Sequence, residues 1–293
     1  MRRWSIFLVL LVVFALAGIA YFFSPIGGPK RDLSLAGDVT RGQYVIRLGG
    51  CVACHTDLAA GGAYLAGGLP LKTQFGDFVP PNITSDKQAG IGAWTLAEFS
   101  GAMSKGLGPG GKHLYPSFPF DSYTKMSDQD IVDLYVALMA TDPIGVKAAD
   151  HQIGFPFNIR LAMQGWKRLF FTPVRFAPDA TRSERWNRGA YLANGPAHCG
   201  ACHTPRNAFG AAQTDQRFAG TPTGTKPFFP AIDPETLRAR GYDEAGLIDA
   251  LTGGFDPDFD TLGGAMGEVI NESLLHWTPQ DLAALSAYLL DTD

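Results

Sequence analysis

Cys51-Val52-Ala53-Cys54-His55 and Cys199-Gly200-Ala201-Cys202-His203 are two stretches of identical form. Cys-x-x-Cys-His is the pattern of covalent c-type haem attachment. Two thiols one helical turn apart can each add to a vinyl group on the same porphyrin edge, forming thioethers. The histidine that follows then lies under the ring and ligates iron from the proximal side. All four cysteines of the chain belong to these two motifs, so none is left for a disulfide.

Two other readings of paired cysteines fit less well. Zinc knuckles lie closer along the chain than these motifs do. A dithiol redox pair sits in a βαβ pattern that neither copy shows. Two covalently bound haem c groups are therefore expected, with Cys51, Cys54, Cys199 and Cys202 holding the porphyrins and His55 and His203 as proximal ligands.

A chain of 293 residues suits two domains. Apolar residues make up 46% and charged residues 18%, a globular composition. A formal net charge of −4 and the lack of a basic tract exclude a cationic nucleic-acid binder. The 35 glycines and 20 prolines imply long loops between few helices, which suits a fold wrapped around a large cofactor.

Met1-Arg2-Arg3 precedes an uncharged run from Trp4 to Phe23. As a helix it spans roughly 30 Å, a bilayer's hydrocarbon thickness. The arginines before it place the N-terminus in the cytoplasm and the remainder outside. Ala15-Leu16-Ala17 resembles a signal-peptide processing site, but the apolar run continues past it to Phe23 and ends in aromatics, which favours an uncleaved anchor. Either way the bulk is exported, to the compartment where bacteria attach haem c. The expected divisions are an anchor at 1–25, a Gly/Pro-containing tether at 26–38, a first haem module at 39–145, a linker at 146–184 and a second module at 185–293.

The modules read as repeats of one plan. In the first, a short amphipathic helix runs from Gly42 to Leu48 into Cys51, and a glycine-rich loop covers 61–76. Thr95 and Glu98 form a capping box opening a helix with Phe99 and Met103 on one face. Ser127, with Asp130 three residues on, opens a last helix bearing Ile131, Leu134, Tyr135, Leu138 and Met139. In the second, Arg188-Gly189-Ala190-Tyr191 precedes Cys199 much as Arg41-Gly42-Gln43-Tyr44 precedes Cys51. There Thr278 is the N-cap and Pro279 the first residue of a closing helix with Leu282, Leu285, Tyr288 and Leu289. The fold class is all-α: tandem class I-like cytochrome c domains behind an N-terminal transmembrane helix. Between them, Ile159, Met163, Trp166 and Phe170 recur at helical spacing, an aromatic face that packs between modules or docks on a membrane or partner.

A sixth ligand turns a haem iron into an unreactive electron carrier, and methionine sulfur raises its potential. For the second haem Met266, in the loop-like Gly263-Gly264-Ala265-Met266-Gly267, is the distal candidate. The corresponding Leu114-Tyr115-Pro116-Ser117-Phe118-Pro119-Phe120 has Phe118 where a methionine is expected. The first-haem candidates are Met103, then Met126, then His113, with an open iron as the remaining alternative. Asn82, Thr84 and Arg206 are candidates for haem propionates.

The runs Arg188 to Leu192, His198 to Asn207 and His113 to Pro119 resemble the cytochrome c subunits of membrane-bound alcohol, gluconate and related periplasmic dehydrogenases. Phe155-Pro156-Phe157-Asn158, with Trp166 and Leu169-Phe170-Phe171, is similar to their interdomain linker. The resemblance implies electron transfer at the periplasmic face of a bacterial inner membrane. The donor it implies is a periplasmic dehydrogenase, or another donor; the acceptor is quinone, a soluble cytochrome or a terminal oxidase. Those subunits typically carry three haem motifs and often have methionine where Phe118 stands; this chain departs on both counts. A carrier rather than a catalyst is expected, since no acid/base or substrate constellation accompanies the haem ligands. Its rival is a dihaem enzyme, of peroxidase or thiosulfate-oxidising type, with the first haem open.

Overall fold

The computed structural model describes residues 2–293, and for Arg2, Arg3 and Phe23 the backbone alone. Met1 and the arginine side chains, on which the expected orientation rests, lie outside the described residues. The Trp4–Phe22 stretch of helix α1 (Arg2–Phe23) is long and apolar enough to cross a membrane, and none of it is buried. A signal sequence has the same length and composition.

Local chemistry sets the helices of the first module. In α2 (Val39–Leu48) the Asp38 carboxylate accepts from the Arg41 amide, and α3 (Cys51–His55) follows after the left-handed Gly50. The capping box opens α4 (Leu96–Lys105): Thr95 accepts from the Glu98 amide while Glu98 accepts from the Thr95 amide. Gly106, at φ +58°, ends it, a conformation that costs glycine little. A short α5 (Phe120–Tyr123) leads to α6 (Asp128–Met139), capped by Ser127. The glycine-rich loop holds more order than its composition implies. Strands β1 (Leu71–Thr73) and β2 (Gly76–Phe78) pair antiparallel, with Leu71 opposite Phe78, and β3 (Gln152–Ile153) adds to β2.

Linker helix α7 (Ala162–Phe170) joins the modules. The second contains α8 (Glu184–Asn194), α9 (Gly200–His203), α10 (Pro234–Ala239), α11 (Glu244–Gly253), α12 (Gly264–Glu272) and α13 (Pro279–Leu290). Thr278 caps α13 and Pro279 is its first residue. The repeat is physical as well as sequential. In each module the first helix crosses the last at a glycine, where a Cβ on Gly42 would strike the Asp133 carbonyl and one on Gly189 the Ala284 carbonyl.

Each module has its own core. Ile46, Val52, Phe99, Met103, Met126, Ile131 and Leu134 form the first. Leu192, Phe218, Leu247, Trp277, Leu285 and Leu289 form the second, which also takes in Leu48 from the first module. The interface is reciprocal. Tyr44 donates to Asp281 at 2.7 Å and accepts from the Thr278 amide at 3.1 Å, at the start of α13. Tyr191 donates to Asp130 and accepts from the Ser127 amide at 3.0 Å, at the start of α6. The tyrosine of each first helix thus caps the other module's last helix, satisfying donors that a helix start leaves orphaned.

The expected tether is strapped down. Arg31 donates to Asp128 and to the Met126 and Thr124 carbonyls, Arg175 donates to Asp128 and to the Lys30 carbonyl, and the Asp38 amide donates to Asp133. Glycine and proline give that stretch the composition of a linker, and carboxylate and carbonyl anchors on the first module hold it. The linker face also differs from expectation. Ile159 precedes the helix, Trp166 and Phe170 are half-buried, and the residues α7 turns fully inward are Gln164 and Lys167. Lys167 donates to the Lys105 and Gly106 carbonyls at the end of α4, where a cation meets the negative end of the helix dipole.

Candidate haem-binding sites

In both motifs the cysteines sit on a single helical turn, Cys51 and Cys54 in α3 and Cys199 and Cys202 at α9, and none of the four is in a disulfide. Burial pushes Cys51 and Cys199 up to about 12. Burial, with Cys202 and Glu268 nearby, pushes Cys54 to about 11. Among the described residues no three His, Cys, Asp or Glu side chains gather as a metal cluster. Neutral thiols on one turn fit attachment to a porphyrin edge.

The histidines carry the more specific geometry. His55 Nδ1 lies 2.7 Å from the Pro81 carbonyl, and His203 Nδ1 lies 2.7 Å from the Pro230 carbonyl. A carbonyl only accepts, so Nδ1 carries the proton and Nε2 keeps its lone pair. That hydrogen bond fixes the tautomer and ring direction a metal-ligating histidine needs. Burial holds both imidazoles below their usual range, the carbonyl pulling the other way, so each is neutral at pH 7. Sequence reasoning misses Pro81 and Pro230 in this role. Their only trace there is a proline-containing stretch placed alike after each motif, Pro80-Pro81-Asn82-Ile83 and Phe229-Pro230-Ala231-Ile232.

The distal candidates are distributed as follows. Met266 lies in the first turn of α12, a helix where the glycines suggest a loop, and packs half-buried against the second core. Met103 on α4 and Met126 just before α6 are both buried in the first core. Relative to their N-caps, Met103 occupies the place of Leu251 on α11, and Met126 that of the buried Trp277 before α13. Phe118 packs against the first core with its ring 5.2 Å from Tyr123. His113 is engaged with the linker: its Nδ1 is 3.3 Å from Lys167 Nζ and its carbonyl accepts from Arg160.

The propionate candidates are occupied. Asn82 donates to the Ile144 and Val146 carbonyls and accepts from the Thr84 amide and hydroxyl. Arg206 donates to the Gly210 and Ala201 carbonyls. Their polar groups tie loops together; Arg206 fastens the loop after the second motif to the motif itself.

Both motifs lie at the module interface. Cys54 feels the Cys202 thiol and Glu268 of α12, and α12 packs on α3. His198, next to Cys199, sets its ring 5.3 Å from Tyr123 of the first module. Tyr123 in turn feels Cys51 and Cys54.

Two helical modules, each with a Cys-x-x-Cys-His turn and a carbonyl-oriented histidine, define a c-type cytochrome. The Cytochrome c family model matches residues 39–139. A diheme cytochrome c-type protein of Cereibacter sphaeroides is 37% identical over 99% of this chain and 98% of its own length. The chain belongs to this family of dihaem c-type cytochromes and carries two covalently bound haems. It is also 37% identical, over 91% of its length, to a nicotinate dehydrogenase subunit of Pseudomonas putida, of which it spans 22%. To the cytochrome c subunit of alcohol dehydrogenase (quinone) of Gluconobacter oxydans it is 34% identical over 86% of its length and 54% of that subunit. Against those dehydrogenase subunits the chain spans about half their length or less.

Proposed function

We propose that this cytochrome is a membrane-anchored periplasmic carrier. It takes electrons from a periplasmic dehydrogenase and passes them between its haems to quinone, a soluble cytochrome or a terminal oxidase. The observation that carries this reading is that both attachment turns lie at the interface between the modules, where α12 packs on α3 and His198, next to Cys199, sits against Tyr123, since electron tunnelling falls steeply with separation. The dehydrogenase cytochrome subunits among its relatives support the choice of donor. The exposed apolar helix α1 supports the anchor, with the haem modules on the periplasmic side of a bacterial inner membrane.

In this reading Cys51 with Cys54, and Cys199 with Cys202, hold the two porphyrins. His55 and His203 are the proximal ligands, oriented by Pro81 and Pro230. When bound, each haem supplies a one-electron iron centre whose potential the axial ligands set. Met266 is the distal ligand of the second. For the first, Met103 is the distal ligand and Met126 the alternative. Soft, unbranched methionine suits both roles.

Replacing Met266, Met103 and Met126 singly by leucine, and reading the oxidised absorption and electron-paramagnetic-resonance spectra, tests the assignment. Met266→Leu and Met103→Leu are each expected to abolish the sulfur-to-iron band of one haem, and Met126→Leu to leave both. Loss of the band in Met126→Leu instead moves the ligand there. Stoichiometric carbon monoxide binding to one reduced haem of the native protein supports the enzyme alternative, with the first iron open where Phe118 replaces methionine.

A further inference from the structure

Helix α7 makes a contact that its role as a linker does not require. Its inward face holds Gln164 and Lys167, while Leu161 at its start and Leu169 near its end are 58% and 63% exposed. These leucines, eight positions apart, fall on one side of the helix, as do Gly165 and Arg168. Isolated exposed leucines are ordinary; what lies between them is not. Phe22 of α1 approaches Gly165, where a Cβ would stand 3.5 Å from its ring, and Arg168 lies over the Tyr21 ring at 4.9 Å. Arg168 also donates to the Ser24 hydroxyl and to the Ser24 and Pro25 carbonyls, and Gln164 donates to the Ser24 carbonyl. The end of the apolar span is thereby clamped across α7, between its two exposed leucines.

We propose that the α7 face carrying Leu161 and Leu169 is a second membrane contact, lying in the surface of the bilayer that α1 spans. The proposal rests on α1 being a retained anchor. Tyr21 and Phe22 end the span, at the depth where aromatic residues mark the bilayer boundary. Side chains on the same face of a helix clamped to them are held at that depth. Arg168 suits the place: its guanidinium reaches the Ser24 and Pro25 carbonyls just past α1 and lies over the Tyr21 ring, and a long aliphatic stem with a charged head suits a bilayer boundary. The turns leading into α7 expose further apolar side chains, Phe155 at 81% and Ile159 at 46%. An amphipathic helix with one apolar face, lying flat, is the form of an interfacial membrane helix. The contact fixes the orientation of the haem modules against the membrane.

The test uses the full-length holoprotein in nanodiscs of phosphatidylethanolamine and phosphatidylglycerol. Thioether bonds occupy all native thiols, so a nitroxide can be placed singly at Leu169→Cys, Leu161→Cys or Val12→Cys. Relaxation by oxygen is then compared with relaxation by a water-soluble nickel chelate. The expected result is strong oxygen preference at Val12→Cys, and at both α7 positions a preference several-fold above that of the same label on an aqueous loop. An apolar environment at Val12→Cys with water at both α7 positions overturns the patch and leaves the anchor standing. Shielding of those labels only on adding a dehydrogenase also overturns it, and assigns the face to a protein. Water at Val12→Cys defeats the anchor reading first, and the patch with it.

Discussion

At the scale of single residues, the cysteine pairs and their histidines are legible in the chain because covalent attachment demands those side chains at that spacing. The groups that aim the histidines are not. Pro81 and Pro230 act through backbone carbonyls, 26 and 27 positions from their partners, and a carbonyl leaves no side-chain signature. The opposite error occurs at Asn82, whose polar amide reads as a ligand-binding group and is spent on Ile144 and Val146. Asp133 shows a further contribution of folding. Its side chain is fully buried; burial would raise its pKa, but Arg41, the Asp38 amide and Gln129 outweigh that and hold it low. Burial is likewise outweighed at Asp128, by the Asp32 amide, Arg175 and Arg31, and at Asp281, by Arg188 and Tyr44. A carboxylate lowered on folding stabilises fully above its unfolded value, 3.8, and that contribution is lost as pH falls through the folded value. Thermal unfolding followed from pH 5 to pH 2 should therefore show the midpoint falling steeply below about 3.8. Asp133→Asn should fall less steeply; parallel curves would show that Asp133 is not lowered.

At the scale of elements, helix starts are the most readable features. Thr95 with Glu98, Ser127, and Thr278 before Pro279 all cap where local chemistry places them, because capping needs only neighbours in sequence. Elements set by distant contacts are less so. The glycines around Met266 suggest a loop, yet packing on α3 and the second core supports α12 there. The apolar period near Trp166 locates α7 but not its inner face, which the carbonyls at the end of α4 claim for Lys167. Gly42 and Gly189 stand out only as members of a repeated Arg-Gly-x-Tyr string; their reason is the helix crossing, where backbone meets backbone. Gly42→Ala and Gly189→Ala should each destabilise by about 3 kcal/mol or more, since the opposing carbonyl belongs to a helix and cannot yield cheaply. Denaturant unfolding of each variant checks this, and a change under about 0.5 kcal/mol, the range of neutral surface substitutions, would contradict the close crossing.

At the scale of the molecule, the repeat predicts two modules but not how they meet. Nothing in Arg-Gly-x-Tyr announces that Tyr44 and Tyr191 exchange places, each capping the other module's closing helix. That exchange, with Leu48 buried in the second core and Ser273 donating to the Arg47 carbonyl, makes one body of two units. It brings both attachment turns to one interface. An electron arriving at one haem should therefore cross directly to the other. Laser photoreduction of a fraction of the holoprotein, followed by time-resolved absorption of the two haems, measures this crossing. The predicted result is a first-order redistribution between them whose rate is unchanged when the protein is diluted. Redistribution that slows in proportion to dilution, as collision between molecules requires, would contradict it.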